Sequence, residues 1–157
     1  MKHLEFKTQI KADKKKVWDT MLRPETYKEW VNVSWPGSYY EGNWAKGENI
    51  RFISPGHGGT MATLLEQKPY DNILAKHVAV INPDGSEDRN SEIAKGWIGT
   101  MERYTFSENK GKTDVKVEID TTPEWESMFS EGWPNALAKL KELCESRWAT
   151  FESKKKK

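Results

Sequence analysis

Two polar residues in the middle of this 157-residue sequence, His77 and Glu102, have the types and the placement to share chemistry. Segments 60–68 and 72–81, punctuated by the turn chemistry of Gly56-His57-Gly58-Gly59, Pro69-Tyr70-Asp71 and Pro83-Asp84-Gly85, read as strands. With Glu66 and Lys76 toward solvent, Met61, Thr63 and Leu65 turn inward on one strand, and Ala75, His77 and Ala79 on the next. On a later strand, 97–107, inward Phe106 and Tyr104 carry Glu102 to the same side. An imidazole and a carboxylate converging in an apolar cleft could anchor the polar end of a ligand or work as a general acid/base pair. The plainer alternative is a bulge near Gly96 or Gly99 that rotates Glu102 to solvent and leaves His77 a satisfied core histidine.

Other chemistry is missing from the sequence. There is no P-loop, no G-x-S-x-G, no HExxH and no Gly-x-Gly-x-x-Gly after a strand. Pro55 to Gly59 lacks the lysine and hydroxyl pair of a phosphate loop and reads as a hairpin turn. Histidines at 3, 57 and 77 and the single Cys144 offer no metal-ligand spacing, so neither metal nor cofactor is expected. Cys144, between Leu143 and Trp148, reads as a small core residue. The charge balance, 25 Lys and Arg against 24 Asp and Glu, removes any general attraction to nucleic acid. No stretch approaches the length of apolar residues that membrane insertion needs, and Met1 to Phe6 is unlike a signal peptide. A soluble, reducing, cytoplasmic setting is the expectation.

The elements that must position His77 and Glu102 read in order along the chain. Leu4, Phe6, Thr8 and Ile10 alternate as a first strand. Asp13 caps a helix over Lys14 to Leu22, and Pro24 opens a second short helix reaching about Trp30. Strands then follow at 38–44, 48–54, 60–68, 72–81, 97–107 and 113–121, with a mobile polar loop expected at 82–96. At the end, Trp125, Met128, Phe129, Trp133, Ala136, Leu137, Leu140, Cys144, Trp148 and Phe151 recur at spacings of three and four, one broad helix face over 124–152. Gly132 and Pro134 predict a bend or break within it. So wide an apolar face calls for a curved partner, an α+β arrangement in which a bent antiparallel sheet of about seven strands grips the helix. Trp18, Trp30, Trp133 and Trp148 read as packing residues, whereas Trp35, Tyr39, Trp44 and Trp97 lie near turns and strand ends where a cavity would open.

That order of elements resembles the helix-grip fold of the START-like, or SRPBCC, superfamily. Ile10, Val17-Trp18, Pro24-Glu25 and Trp30 look like its opening motif. Glu66 before Pro69, the Gly111-Lys112-Thr113 step, and Gly132-Trp133 with Leu137 and Leu140 resemble the subgroup of activator of heat-shock-protein-90 ATPase homologues. Pro134 departs from that subgroup's pattern. The resemblance spans roughly residues 3 to 152 and implies a hydrophobic cavity under the long helix, in a superfamily of lipid carriers, cyclases, hydrolases and co-chaperones.

The expectation is one domain over 1–157, with Lys154–Lys157 a disordered tail, existing as a monomer or weak dimer. Its leading function is binding of a small hydrophobic or amphipathic molecule by Trp35, Tyr39, Phe52, Met61, Leu65, His77, Trp97, Glu102, Tyr104, Met128 and Trp133. A co-chaperone-like module holding a protein client is the alternative. A cyclase or hydrolase using His77 and Glu102 on a lipid-like or polyketide-like substrate comes third.

Overall fold

The computed structural model describes the backbone of residues 2–155 and the side chains of residues 2–145. Strand β1 (Lys2–Ile10) leads into α1 (Lys14–Leu22), whose cap Asp13 accepts from the Lys16 amide, and α2 (Pro24–Asn32) follows at once. The remaining strands are β2 (Tyr39–Gly42), β3 (Asn49–Ser54), β4 (Gly58–Lys68), β5 (Asn72–Ile81), β6 (Glu87–Asp88), β7 (Met101–Asn109) and β8 (Lys112–Thr121). They form one antiparallel sheet in the order β1-β8-β7-β5-β4-β3-β2, with two-residue β6 added to β5 as an eighth strand. After a 3₁₀ turn at Pro123–Trp125, helix α4 (Glu126–Lys155) runs back across the sheet and packs on β1, α1 and α2.

The core is what α4 covers. Trp133, Ala136, Leu137, Leu140, Leu143 and Cys144 are buried in one cluster with Ile10, Trp30, Ile73, Tyr104, Phe106 and Val117. Burial of each large side chain is worth roughly 1.5–3 kcal/mol, so this face supplies the helix's hold on the sheet. Trp125 and Met128, expected on the same face, remain more than a third exposed, because they precede the point at which α4 meets the sheet core. The side chains of Trp148 and Phe151, and the residues Lys156 and Lys157, lie outside the described part. Helix α4 continues through Lys154 and Lys155, which the sequence reading assigned to a disordered tail.

Of the bend or break expected at Gly132-Trp133-Pro134, no break occurs: α4 runs on with Pro134 in its interior. Proline removes one backbone bond, but tertiary contacts hold the turn. The Ser34 hydroxyl donates to the Gly132 carbonyl at 2.6 Å, and the Trp35 indole packs so close that a Cβ at Gly132 would lie 2.7 Å from it.

Other departures have local causes. The polar stretch 82–96 is not one mobile loop. Asp88 accepts from the Asn90 and Ser91 amides, and Ser91 caps α3 (Glu92–Trp97), which buries Ala94 and Trp97. Trp97 therefore ends a helix, and the next strand begins only at Met101.

The β4/β5 pairing shifts register twice, between Met61 and Ala62 and between Leu64 and Glu66. Each shift inserts an extra residue, Val78 on β5 and Leu65 on β4, and reverses the inward phase. As a result Ala62 and Leu64 enter the main core, Leu65 is 37% exposed, and Met61 packs with Ala79 and Ile81 in a separate cluster.

Two measurements follow. Replacing Trp133 with Ala should cost about 3–5 kcal/mol in urea unfolding, the range for deleting a buried aromatic, and a loss below about 1 kcal/mol would contradict its place in the core. Burial pushes the Cys144 thiol up to about 11. The folded state thus holds the thiol proton more tightly than the unfolded chain, whose thiol titrates at about 8.5, so this contribution to stability is present below that pH and declines as pH rises toward 11. Native Cys144 should resist a thiol reagent at about pH 8 and react fully in denaturant.

Candidate functional site

The register of β5 and β7 brings the polar candidates together. Ala75 pairs with Glu102, which sets His77, two residues along on the same face, diagonally opposite Glu102. His77 Nε2 lies 3.4 Å from Glu102 Oε1, with the two side chains 2% and 11% exposed. The geometry falls outside hydrogen bonding, and neither ring nitrogen of His77 has a hydrogen-bond partner among the described residues. On β7 the Tyr104 hydroxyl donates to Glu102 Oε2. Burial, and then the charge of Glu102, hold the Tyr104 hydroxyl well above its usual range, and Tyr27 is raised for the same two reasons in the same order. Both tyrosines therefore remain neutral donors.

The loop after α3 presses against this pair. The Gly99 amide donates to the His77 carbonyl, the His77 amide donates to Thr100, and Gly99 adopts a φ of +94° to make the turn. This brings the Trp97 ring to 4.8 Å from the His77 ring, centroid to centroid. Glu102 is not rotated to solvent, since the glycine irregularity falls before β7 begins.

These residues border a cavity of about 180 Å³ between the sheet, α2 and the first turns of α4. Of the residues singled out from the sequence, Trp35, Tyr39, Phe52, His77, Trp97, Glu102, Tyr104, Met128 and Trp133 line it. Met61 and Leu65 do not, for the register reasons above. Trp44 contacts Tyr40, Phe52 and Tyr104 behind the wall instead of opening the mouth. Sequence reading missed Tyr27 and Val31 as lining residues and gave Trp30 to packing alone. Their i, i+3, i+4 spacing on α2 was the available signal.

A second cavity of about 220 Å³ adjoins the first and shares Ser54, Gly59, Thr60, Trp97, Met128 and Phe129 with it. Trp97 and Phe129 stand between them as a stacked pair, with centroids 5.8 Å apart and planes 12° apart. Ile93, Trp125 and Met128, which border the second cavity, are 53%, 39% and 38% exposed, so its outer edge is an apolar mouth.

One cluster elsewhere has metal-ligand residue types. His3, Glu5 and Glu118 bring ligand atoms within 4.8 Å of one another, but they are solvent-facing and ion-paired, His3 with Asp120 at 2.8 Å and Glu5 with Lys7 at 3.3 Å. No described helix is long and apolar enough to cross a membrane.

A curved antiparallel sheet closed over one long C-terminal helix, with two short helices after the first strand and a cavity between, is the helix-grip architecture of START-like proteins. Within that class the chain belongs to the family of Activator of Hsp90 ATPase homolog 1-like proteins, whose sequence model matches residues 11–145.

Solved structures agree on the fold. An Aha1 dimer from Colwellia psychrerythraea is 18% identical with a TM-score of 0.68, over 92% of this chain and 97% of that one. A protein from Mesorhizobium loti is 15% identical with a TM-score of 0.72, over 92% and 98%. A protein from Cytophaga hutchinsonii is 19% identical with a TM-score of 0.67, over 95% and 97%. A search of curated proteins finds no sequence match.

The Tyr104 hydroxyl is the only hydrogen-bond donor to Glu102 among the described side chains. Tyr104→Phe should destabilise the fold by about 1.5–3 kcal/mol, as loss of a hydrogen bond to a charged group does, measured by urea unfolding. An unchanged midpoint would mean that the carboxylate is held by other groups.

Proposed function

We propose that this protein binds a small amphipathic molecule, with its polar end at His77, Glu102 and Tyr104 and its apolar body extending past Trp97 and Phe129 toward the mouth at Ile93 and Trp125. The observation that carries this reading is the buried His77, with no hydrogen-bond partner at either nitrogen among the described residues, facing a cavity half of whose lining residues are aromatic. Buried polar groups are normally hydrogen-bonded, and one left open toward a cavity is a place for a ligand or water to bond. Ligand sites combine apolar walls with a few placed polar groups in this way.

Size argues for a ligand spanning both spaces. Each cavity is smaller than the roughly 300–1,000 Å³ of a typical small-molecule site, and only the two together reach it. The second reading, a surface for a protein client, draws on the exposed Ile93, Trp125 and Met128 at the mouth. The inward polar pair favours the ligand, because a protein contact at the rim would make no use of His77 and Glu102.

A panel of apolar compounds with and without a polar end should distinguish these. A ligand at about one hundred times its dissociation constant should add roughly 2.7 kcal/mol of stability and quench tryptophan emission saturably. His77→Ala should weaken the polar-ended members more than the purely apolar ones, since only the former lose a hydrogen-bond partner. The absence of any saturable change in fluorescence or melting temperature across the panel would defeat the proposal.

A further inference from the structure

We infer that the polar end of the ligand is an organic cation, an ammonium group carried on an apolar body; this rests on the binding reading above and names its chemical class. The inference comes from the charges around the two cavities. Among the described residues, Glu102 is the only acidic side chain that lines them, and neither cavity is lined by a lysine or an arginine. Among the described residues no lysine or arginine lies within 4.0 Å of its carboxylate, which meets only His77 Nε2 at 3.4 Å and the Tyr104 hydroxyl. A carboxyl group in a cavity with no lysine or arginine beside it favours a positively charged visitor, and a cation entering the cavity supplies that charge.

The donors and acceptors match a protonated amine. An ammonium has only hydrogens to give, and Glu102 Oε1, which accepts no hydrogen bond from any described group, is an acceptor for it. A carboxylate or phosphate head would meet Glu102 with like charge, which is repulsive and poorly screened in a buried site. The indole N–H groups of Trp97 and Trp133 are also buried and unpartnered. They are neutral dipoles that a water or an oxygen on the ligand body can satisfy, and they do not offset a full charge.

The walls point the same way. The Trp97 and Phe52 rings lie 4.8 and 6.4 Å from the His77 ring, centroid to centroid, and Tyr104 stands beside Glu102. Aromatic faces within about 6 Å of a cation attract it through their quadrupoles, more strongly where water is excluded. An acidic group at the base of an aromatic cavity thus combines the two interactions that select an organic cation over a neutral molecule of the same shape.

The test compares hexylamine, 1-hexanol and hexanoate at neutral pH by calorimetric titration and melting temperature, using the full chain. Hexylamine should bind about tenfold more tightly than hexanol, the scale of a desolvated cation–π contact, and hexanoate should bind most weakly. In Glu102→Gln the preference for amine over alcohol should disappear while hexanol still binds. The wild-type comparison stands alone if that variant fails to fold. Hexanol or hexanoate binding as tightly as hexylamine would overturn the cation inference and leave the binding reading standing. Failure of all three to bind would count against the binding reading itself.

Discussion

The structure depends on how one indole is seated. Trp133 projects from α4 into a ring of aromatics drawn from four other elements: Phe6 on β1, Trp30 on α2, Trp35 after α2, and Tyr104 on β7. These contacts fix the height and rotation of α4 over the sheet, because the i, i+3, i+4 residues that follow, Ala136, Leu137 and Leu140, then fall into the core without further choice. They also account for the two residues that flank it. Gly132 gives Trp35 room to approach, and Pro134 is tolerated because the surrounding rings hold the helix continuous where its backbone is one bond short.

That seating divides the space under the helix. C-terminal to Trp133 the sheet and helix meet in a filled core. N-terminal to it α4 lifts away, Met128 stays partly exposed, and the gap remains open as two adjoining cavities. Glu102 and His77 sit at the inner end of that gap because β5 and β7 pair there in a register that sets them diagonally opposite. Trp97 reaches the same point from the opposite direction, on a short helix whose following loop bonds to the His77 backbone. The aromatic wall and the buried carboxylate are therefore consequences of one packing arrangement.

Much of this was legible in the sequence. The order of elements, the wide face of α4 and the inward phase of His77 and Tyr104 follow from periodicity, whereas Glu102 was left open between an inward position and a bulge toward solvent, and the β5/β7 register decides it. What was not legible depends on events with no period. A single extra residue at Val78 and another at Leu65 shift the β4/β5 register, and nothing in the local composition marks either site. Those slips removed Met61 and Leu65 from the cavity wall. Helix α3 hid within a polar run because only Ala94 and Trp97 are buried, too few for a helical period to appear. The unbroken α4 eluded the sequence because contacts made by Trp35 and Ser34, about a hundred residues away in the chain, decide it.

The central claim is that a small molecule enters the space bounded by α4, the sheet and the Trp97–Phe129 pair, and the most direct measurement is two-dimensional NMR of the indole N–H groups during titration with a binding compound. The indoles report by position. Trp97 and Trp133 border the inner cavity with N–H groups that have no hydrogen-bond partner among the described residues, whereas Trp18 is packed against Tyr70 and Phe106. The account predicts saturable shifts at Trp97 and Trp133, with Trp18 unmoved. Shifts confined to Trp125 at the rim, or equal shifts at Trp18, would contradict it.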